Sequence, residues 1–455
     1  MRKPRAIAHM AGMSEDLLHE VVAAALKAGA DAAEAVLAER RSLSITVRLD
    51  ALEEVEREEA RDLGVRVFIG QKQASVSASD ISPDARAKLV ERVVAMARLA
   101  PEDRYAGLAP PERLAKGPFP DLDLYDPSEP DAEALEAEAR TAEAAARAVE
   151  GVTNTDGGSA AWSSSTWLYA TSGGFFGRHQ ASGFSLSASA IAGEGSAMER
   201  GGEGRSQRWR GDLPAAEVIG AEAGKRAVAR LGARKIASTT APVIFENRLA
   251  AALLSPLIGA IAGPSIARGT SFLKDKLGER IFPGAVTLTE DPHRRRGLGS
   301  TPFDDEGVAN RRHAIIDKGV LTTWLLNCAS ARQLGLETTG HASRGLAGPP
   351  GVAPSNLTLE PGTRDLAGLM ADAQDGLLVT SMFGPSLNGN TGDWSVGVSG
   401  FWFENGQIAY PVTEITVAGN LIDIYGRVVV GSDLELRGAS NSPSLLIDGL
   451  AIAGR

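Results

Sequence analysis

Apolar and polar residues alternate with a period of two in short runs along much of this chain, and turn residues separate the runs. That pattern points to half-exposed antiparallel sheet. In the first part the runs are 33–38, 43–49, 55–59, 65–69 and 74–78, and Gly70-Gln71-Lys72-Gln73 joins the last two as a hairpin. Helical signals interrupt them. Ser14 with Glu15 and Asp16 reads as the cap of a helix carrying Leu17, Leu18, Val21, Val22 and Leu26 and stopped by Gly29. Ser82-Pro83-Asp84 starts another that runs to about Leu99.

Residues 101–130 contain Pro101, Pro110, Pro111, Pro118, Pro120, Pro127 and Pro130 and read as an extended surface connection. An Ala/Glu-rich helix over 131–149 follows, then Ser-, Gly- and Thr-rich hairpins over 152–210 and a helix near 214–231. A boundary falls near 236–242, ahead of a helix over 247–260. Short strands are expected at 286–289, 313–316, 320–326, 356–359, 376–380, 395–403, 413–418 and 445–447. The expectation is an α+β chain. Its N-terminal α/β domain, 14–236, combines an antiparallel sheet with helices, and its C-terminal domain, 237–455, is β-rich and barrel-like.

A net charge of −10 repels a phosphate backbone and argues against direct nucleic-acid binding. The basic runs Arg294-Arg295-Arg296 and Arg311-Arg312-His313 lie among Asp291, Asp304 and Asp305, so local salt bridges are the expected use of them. The single cysteine, Cys328, excludes an intrachain disulfide and a thiolate zinc cluster, which fits a cytoplasmic chain. Residues 1–13 lack the apolar stretch of a signal peptide and read as a loose leader or a mis-assigned start. The most apolar run, 249–262, is too short to span a bilayer.

Motifs that carry chemistry are scarce. No two of the six histidines (His9, His19, His179, His293, His313 and His341) lie within five residues of each other, so none forms a helical zinc pair. A zinc site could only be assembled from distant residues, and each histidine reads as a solvated or internally satisfied group. No G-x-S-x-G elbow, phosphate loop or dinucleotide fingerprint occurs. Ser271-Phe272-Leu273-Lys274 matches S-x-x-K but lacks that motif's companions, and Cys328 reads as a buried, inert thiol. The sharpest polar cluster is Asp304-Asp305-Glu306. Three adjacent carboxylates could hold a hard cation or act as acid and base. A turn whose acids cap a strand or pair with Arg311 and Arg312 is the better reading, because adjacent residues seldom converge on one ion.

Several segments together resemble the TldD/TldE (PmbA) peptidase family, often labelled modulator of DNA gyrase. They are the run from Gly64 to Ser77, Pro302-Phe303-Asp304-Asp305-Glu306-Gly307, the run from His313 to Gly335, the run from Ser355 to Gly362, the long block 388–421 and Ser442-Pro443-Ser444-Leu445-Leu446-Ile447. The similarity is closest to the TldE/PmbA branch. TldD-like members carry HExxxH on a helix in mid-chain and a C-terminal cysteine, and are taken to be metallopeptidases. Here the comparable positions are Ser255, Pro256 and Ala260, and no cysteine follows Cys328. The resemblance therefore implies no catalytic residue and no metal in this chain. It implies a subunit that pairs with a TldD-like catalytic chain, which would carry zinc or a similar divalent metal, or a homodimer when that chain is absent. The implied substrates are unfolded or extended peptides. Asn388, Asp393 and Trp394 of the Gly-rich 384–400 stretch, together with Asp304, Asp305 and Glu306, are candidates for an interface or a substrate path. Two other readings stand beside this one. One is a non-proteolytic regulator acting on a topoisomerase or its inhibitor. The other is a homodimeric hydrolase built on Asp304, Asp305 and Glu306.

Overall fold

The computed structural model describes residues 3–454, with side chains from Ser14 onward apart from Ser196. Its first half is built on one six-stranded antiparallel sheet. The strands are β1 (Ala32–Arg48), β2 (Ala51–Ile69), β3 (Lys72–Ala78), β4 (Val152–Thr171), β5 (Phe176–Ala192) and β6 (Glu199–Gln207), in the order β3-β2-β1-β4-β5-β6. The separate runs expected at 33–38 and 43–49 form one strand, and those at 55–59 and 65–69 form another. β1 and β2 pair continuously from Ala32 opposite Phe68 to Arg48 opposite Ala51.

Alternation along β1 sorts its side chains onto two faces. Ala33, Ala35 and Leu37 pack under the helices α1 (Lys3–Lys27) and α2 (Pro83–Leu99), and Leu43, Ile45 and Val47 pack under α3 (Ala132–Arg147) and α4 (Ala216–Ala229). All four helices thus cover the same face. α2 starts where expected, with Ser82 Oγ accepting from Ala85 N and Pro83 in the first turn. Ser14 is not a cap. It lies buried inside α1, and its hydroxyl accepts from Arg61 Nη2.

The opposite face of the sheet receives the second half of the chain. Phe303 and Leu346 pack there with Val36, Tyr169 and Phe175. Two strand glycines make this possible: a Cβ on Gly64 would collide with the Leu346 carbonyl, and one on Gly177 with the Phe303 ring. The proline-rich stretch is more than a surface connection, because it straps the halves together. Arg332 donates to the carbonyls of Tyr105, Gly107 and Leu108, and Ala115 N donates to Gly307 O.

In the second half, β7 (Thr239–Phe245) joins the strands Gly376–Leu387, Asp393–Glu404, Gln407–Asn420 and Leu445–Ala453. Pairing of the last two closes these five strands into a barrel. A smaller sheet holds β8 (Leu288–Glu290), β9 (His313–Asp317) and β10 (Val320–Leu321), and one apolar core joins it to the barrel. The expected α+β class and barrel-like C-terminal region are what the chain adopts. The helix expected over 247–260 is broken into Asn247–Ala250, a tight turn at Ala251–Leu253, and Leu254–Ile261. Pro256 supplies no N–H to the preceding turn, which accounts for the interruption. No helix among the described residues is long and apolar enough to cross a membrane.

Candidate functional site

The helix Leu254–Ile261 buries Leu254, Leu257 and Ile261 in the barrel core and leaves Ser255 exposed. Ser255, Pro256 and Ala260 line a pocket of about 540 Å³, with Phe272, Leu387 and Trp394 among its other walls. No imidazole, thiol or carboxylate lines it among the described residues. Ser271 of the S-x-x-K match is buried beneath it. Its hydroxyl donates to Ala260 O and accepts from Leu273 N, so it fixes the loop after the helix and is not presented as a nucleophile.

The strands Gly376–Leu387 and Asp393–Glu404 form a hairpin whose tip stands beside this pocket. Residues 383–391 are exposed, including Phe383 and Leu387. Asn388 Oδ1 accepts from Asn390 N, and Asp393 accepts from Thr391 Oγ1 and Asn420 Nδ2, bonds that lower the Asp393 carboxyl below its ordinary value. Both residues shape the turn. Trp394 is buried at its base, edge-on to Phe245.

Asp304, Asp305 and Glu306 do not line the helix pocket, and they do not pair with Arg311 or Arg312. Each is held by backbone N–H groups instead. Asp304 accepts from Glu306, Val308 and Ala342, Asp305 from Arg344, and Glu306 from Cys328 at the start of the helix Cys328–Leu334. Burial raises all three carboxyls, Asp305 to about 6. Burial and the neighbouring Glu306 push the Cys328 thiol up, in keeping with an inert group. The basic runs do form salt bridges, though mainly with acids remote in sequence: Arg295 and Arg296 meet Asp123, and Arg296 also meets Asp212.

The histidines are where the fold departs most from the sequence reading. His19 and His293 have local partners, Glu15 and Asn310; the side chain of His9 lies outside the described ones. His179 is half-buried, and the loss of water around its ring lowers it to about 4, with Arg208 contributing. His313 and His341, however, are not isolated. Their rings lie 5.6 Å apart, and both face Glu290. Glu290 and His313 are direct cross-strand partners on β8 and β9, a relation fixed by sheet register across 23 residues of chain that local spacing does not reveal.

Sequence profiles of the PmbA/TldA metallopeptidase group match three consecutive parts of the chain. They are domain 1 at 33–97, the central domain at 125–231 and the C-terminal domain at 238–454. The chain is 40% identical to metalloprotease PmbA of Escherichia coli, over 96% of each chain. It belongs to the PmbA/TldD metallopeptidase family. A PmbA homologue of Haemophilus influenzae is 36% identical over 94% of each chain. A solved structure from Bacteroides thetaiotaomicron, described as a modulator of DNA gyrase, superposes with a TM-score of 0.90 at 30% identity, covering 97% of this chain and 99% of that one. TldE of Thermococcus kodakarensis shares the fold, with a TM-score of 0.86 at 21% identity over 96% of this chain and all of that one. In this PmbA-type chain, the helix marked by the family resemblance is therefore one wall of a well-formed apolar pocket.

Proposed function

We propose that this chain is the non-catalytic, TldE-like subunit of a two-chain cytoplasmic metallopeptidase that acts on unfolded or extended peptides. The observation that carries the reading is the pocket at the helix Leu254–Ile261. At about 540 Å³ it has room for side chains, yet Ser255, Pro256 and Ala260 offer neither metal ligands nor a general base. A divalent metal, zinc or similar, would sit in the TldD-like partner. This chain would contribute a wall of the enclosed chamber and the hairpin tip with its exposed Phe383 and Leu387. An extended peptide added to a strand edge is held by backbone hydrogen bonds and so needs little sequence specificity, while an apolar pocket selects among its side chains.

The test is cleavage of an unstructured peptide by this chain, by a TldD-like chain, and by their mixture, with and without chelator. Cleavage is expected from the mixture alone and should disappear with chelator. Replacing Phe383→Asp and Leu387→Asp together should reduce it at least tenfold by weakening assembly, measured in parallel by gel filtration. Cleavage by this chain alone, or none by the mixture, overturns the proposal.

A further inference from the structure

We infer that Glu290, His313 and His341 form a divalent-metal site of their own, remote in sequence from the helix pocket. The three donor atoms lie within 4.8 Å of one another. Nε2 of His341 is 2.7 Å from Glu290 Oε2, and Nε2 of His313 is 3.7 Å from the same oxygen. A tetrahedral zinc with bonds of ~2.0–2.2 Å separates its donors by roughly 3.3–3.6 Å, so a small outward rotation of His341 suffices to admit the ion.

His341 and Glu290 are at hydrogen-bond distance, and the ring orientations allow a metal to replace that bond. His313 Nδ1 is 3.1 Å from the carbonyl of Arg311, which can only accept, so Nδ1 carries the proton and Nε2 presents a lone pair to Glu290. His341 Nδ1 is 2.7 Å from Thr339 Oγ1. That hydroxyl accepts from Leu326 N and has the carbonyls of Trp324 and Leu326 to donate to, so it can take the imidazole proton as well. In this arrangement two nitrogen lone pairs and a carboxylate oxygen face one another, and a cation satisfies all three. Protein metal sites hold the outer nitrogen of each ligating histidine in the same way. Glu290 is fixed in turn by Ser355 N, 2.5 Å from its Oε1.

The surroundings are suitable. Glu290 and His341 line a pocket of about 190 Å³ at the junction of the two halves, together with Asp304 and Asp305. Arg311 is the only arginine or lysine on its wall among the described residues. The pocket offers room for water or a small oxygen ligand in the remaining position of a His₂Glu ion, the donor set of an open zinc site.

The chain, stripped with chelator and exchanged into metal-free buffer, is titrated with Zn²⁺ by calorimetry and with Co²⁺ by visible absorption. One equivalent should bind, with the strong absorption of four-coordinate cobalt, and Zn²⁺ should raise Tm. His313→Ala, at a half-buried position that tolerates truncation, and Glu290→Gln, which keeps an oxygen acceptor for Ser355, should each weaken binding at least tenfold and abolish the Tm shift. Absence of stoichiometric binding, or binding unchanged in both variants, overturns the site. Neither titration uses a partner chain or a peptide, so its outcome is independent of the subunit pairing proposed above.

Discussion

Asp305 sits between two carboxylates that are also raised by burial, and its own rise to about 6 makes it a source of pH-dependent instability. Unfolded, the group titrates near ~3.9. Above pH 6 it is charged in both states, and the folded state bears the cost of holding that charge away from water. Below about 4 it is neutral in both, and the cost vanishes. Asp305→Asn keeps an oxygen acceptor for Arg344 N and removes the charge. It should stabilise the protein by about 1–2 kcal/mol at pH 8, a gain that shrinks as pH falls from 6 toward 4. Urea midpoints across that range check it; a pH-independent difference would contradict the assignment. The three carboxylates were visible in the sequence. Their use was not, because the N–H groups they accept from belong to segments up to 39 residues away.

At the scale of elements, the long β1–β2 hairpin turns at Leu49-Asp50, with φ of 51° and 61°. Two successive left-handed residues make the tight turn that matches strand twist, a conformation that suits Asn, Asp and Gly and strains leucine by roughly 1–2 kcal/mol. The buried Glu143 of α3 stabilises it by accepting from both turn N–H groups, at 2.6 and 2.9 Å. Leu49 is exposed, so Leu49→Asn loses no packing and should raise stability by about 1 kcal/mol in chemical denaturation. The alternation over 43–49 carries the expected strand through Leu49, and of the two turn residues only Asp50 is of a type that marks a turn. Tertiary support from Glu143 overrides the residue's own preference. Pro256 is the opposite case: its break in the helix was legible in principle from the residue type alone.

Across the whole molecule, the halves meet through a buried ionic cluster. Glu34 on β1 bonds to Arg66, to Arg344 from the second half and to the Tyr169 hydroxyl at 2.7 Å. Burial alone would raise the Glu34 carboxyl, but Arg344 and Arg66 outweigh it and the carboxyl is lowered. A lowered carboxyl contributes stability above its unfolded value, and that contribution is lost as pH falls through the native one. Glu34→Gln leaves two buried guanidinium groups without their counter-charge and should cost about 3–5 kcal/mol at pH 7. Urea unfolding, followed by separate probes in each half, should show the loss and a weaker coupling between the two transitions; unchanged midpoints would rule the cluster out as the tie.

By itself the sequence determined the classes of element, the α+β layout, the barrel-like second half and the family, because periodicity, caps and long motif blocks are local properties of the chain. It also marked Ser255, Pro256 and Ala260 as the positions that lack metal-ligating side chains. Only the tertiary structure decided that these residues line a pocket, that the proline-rich stretch is a strap, and that Glu290, His313 and His341 converge. Such convergence depends on strand register and on the packing of two halves across a sheet face, and neither leaves a fixed spacing for a reader of the sequence to find.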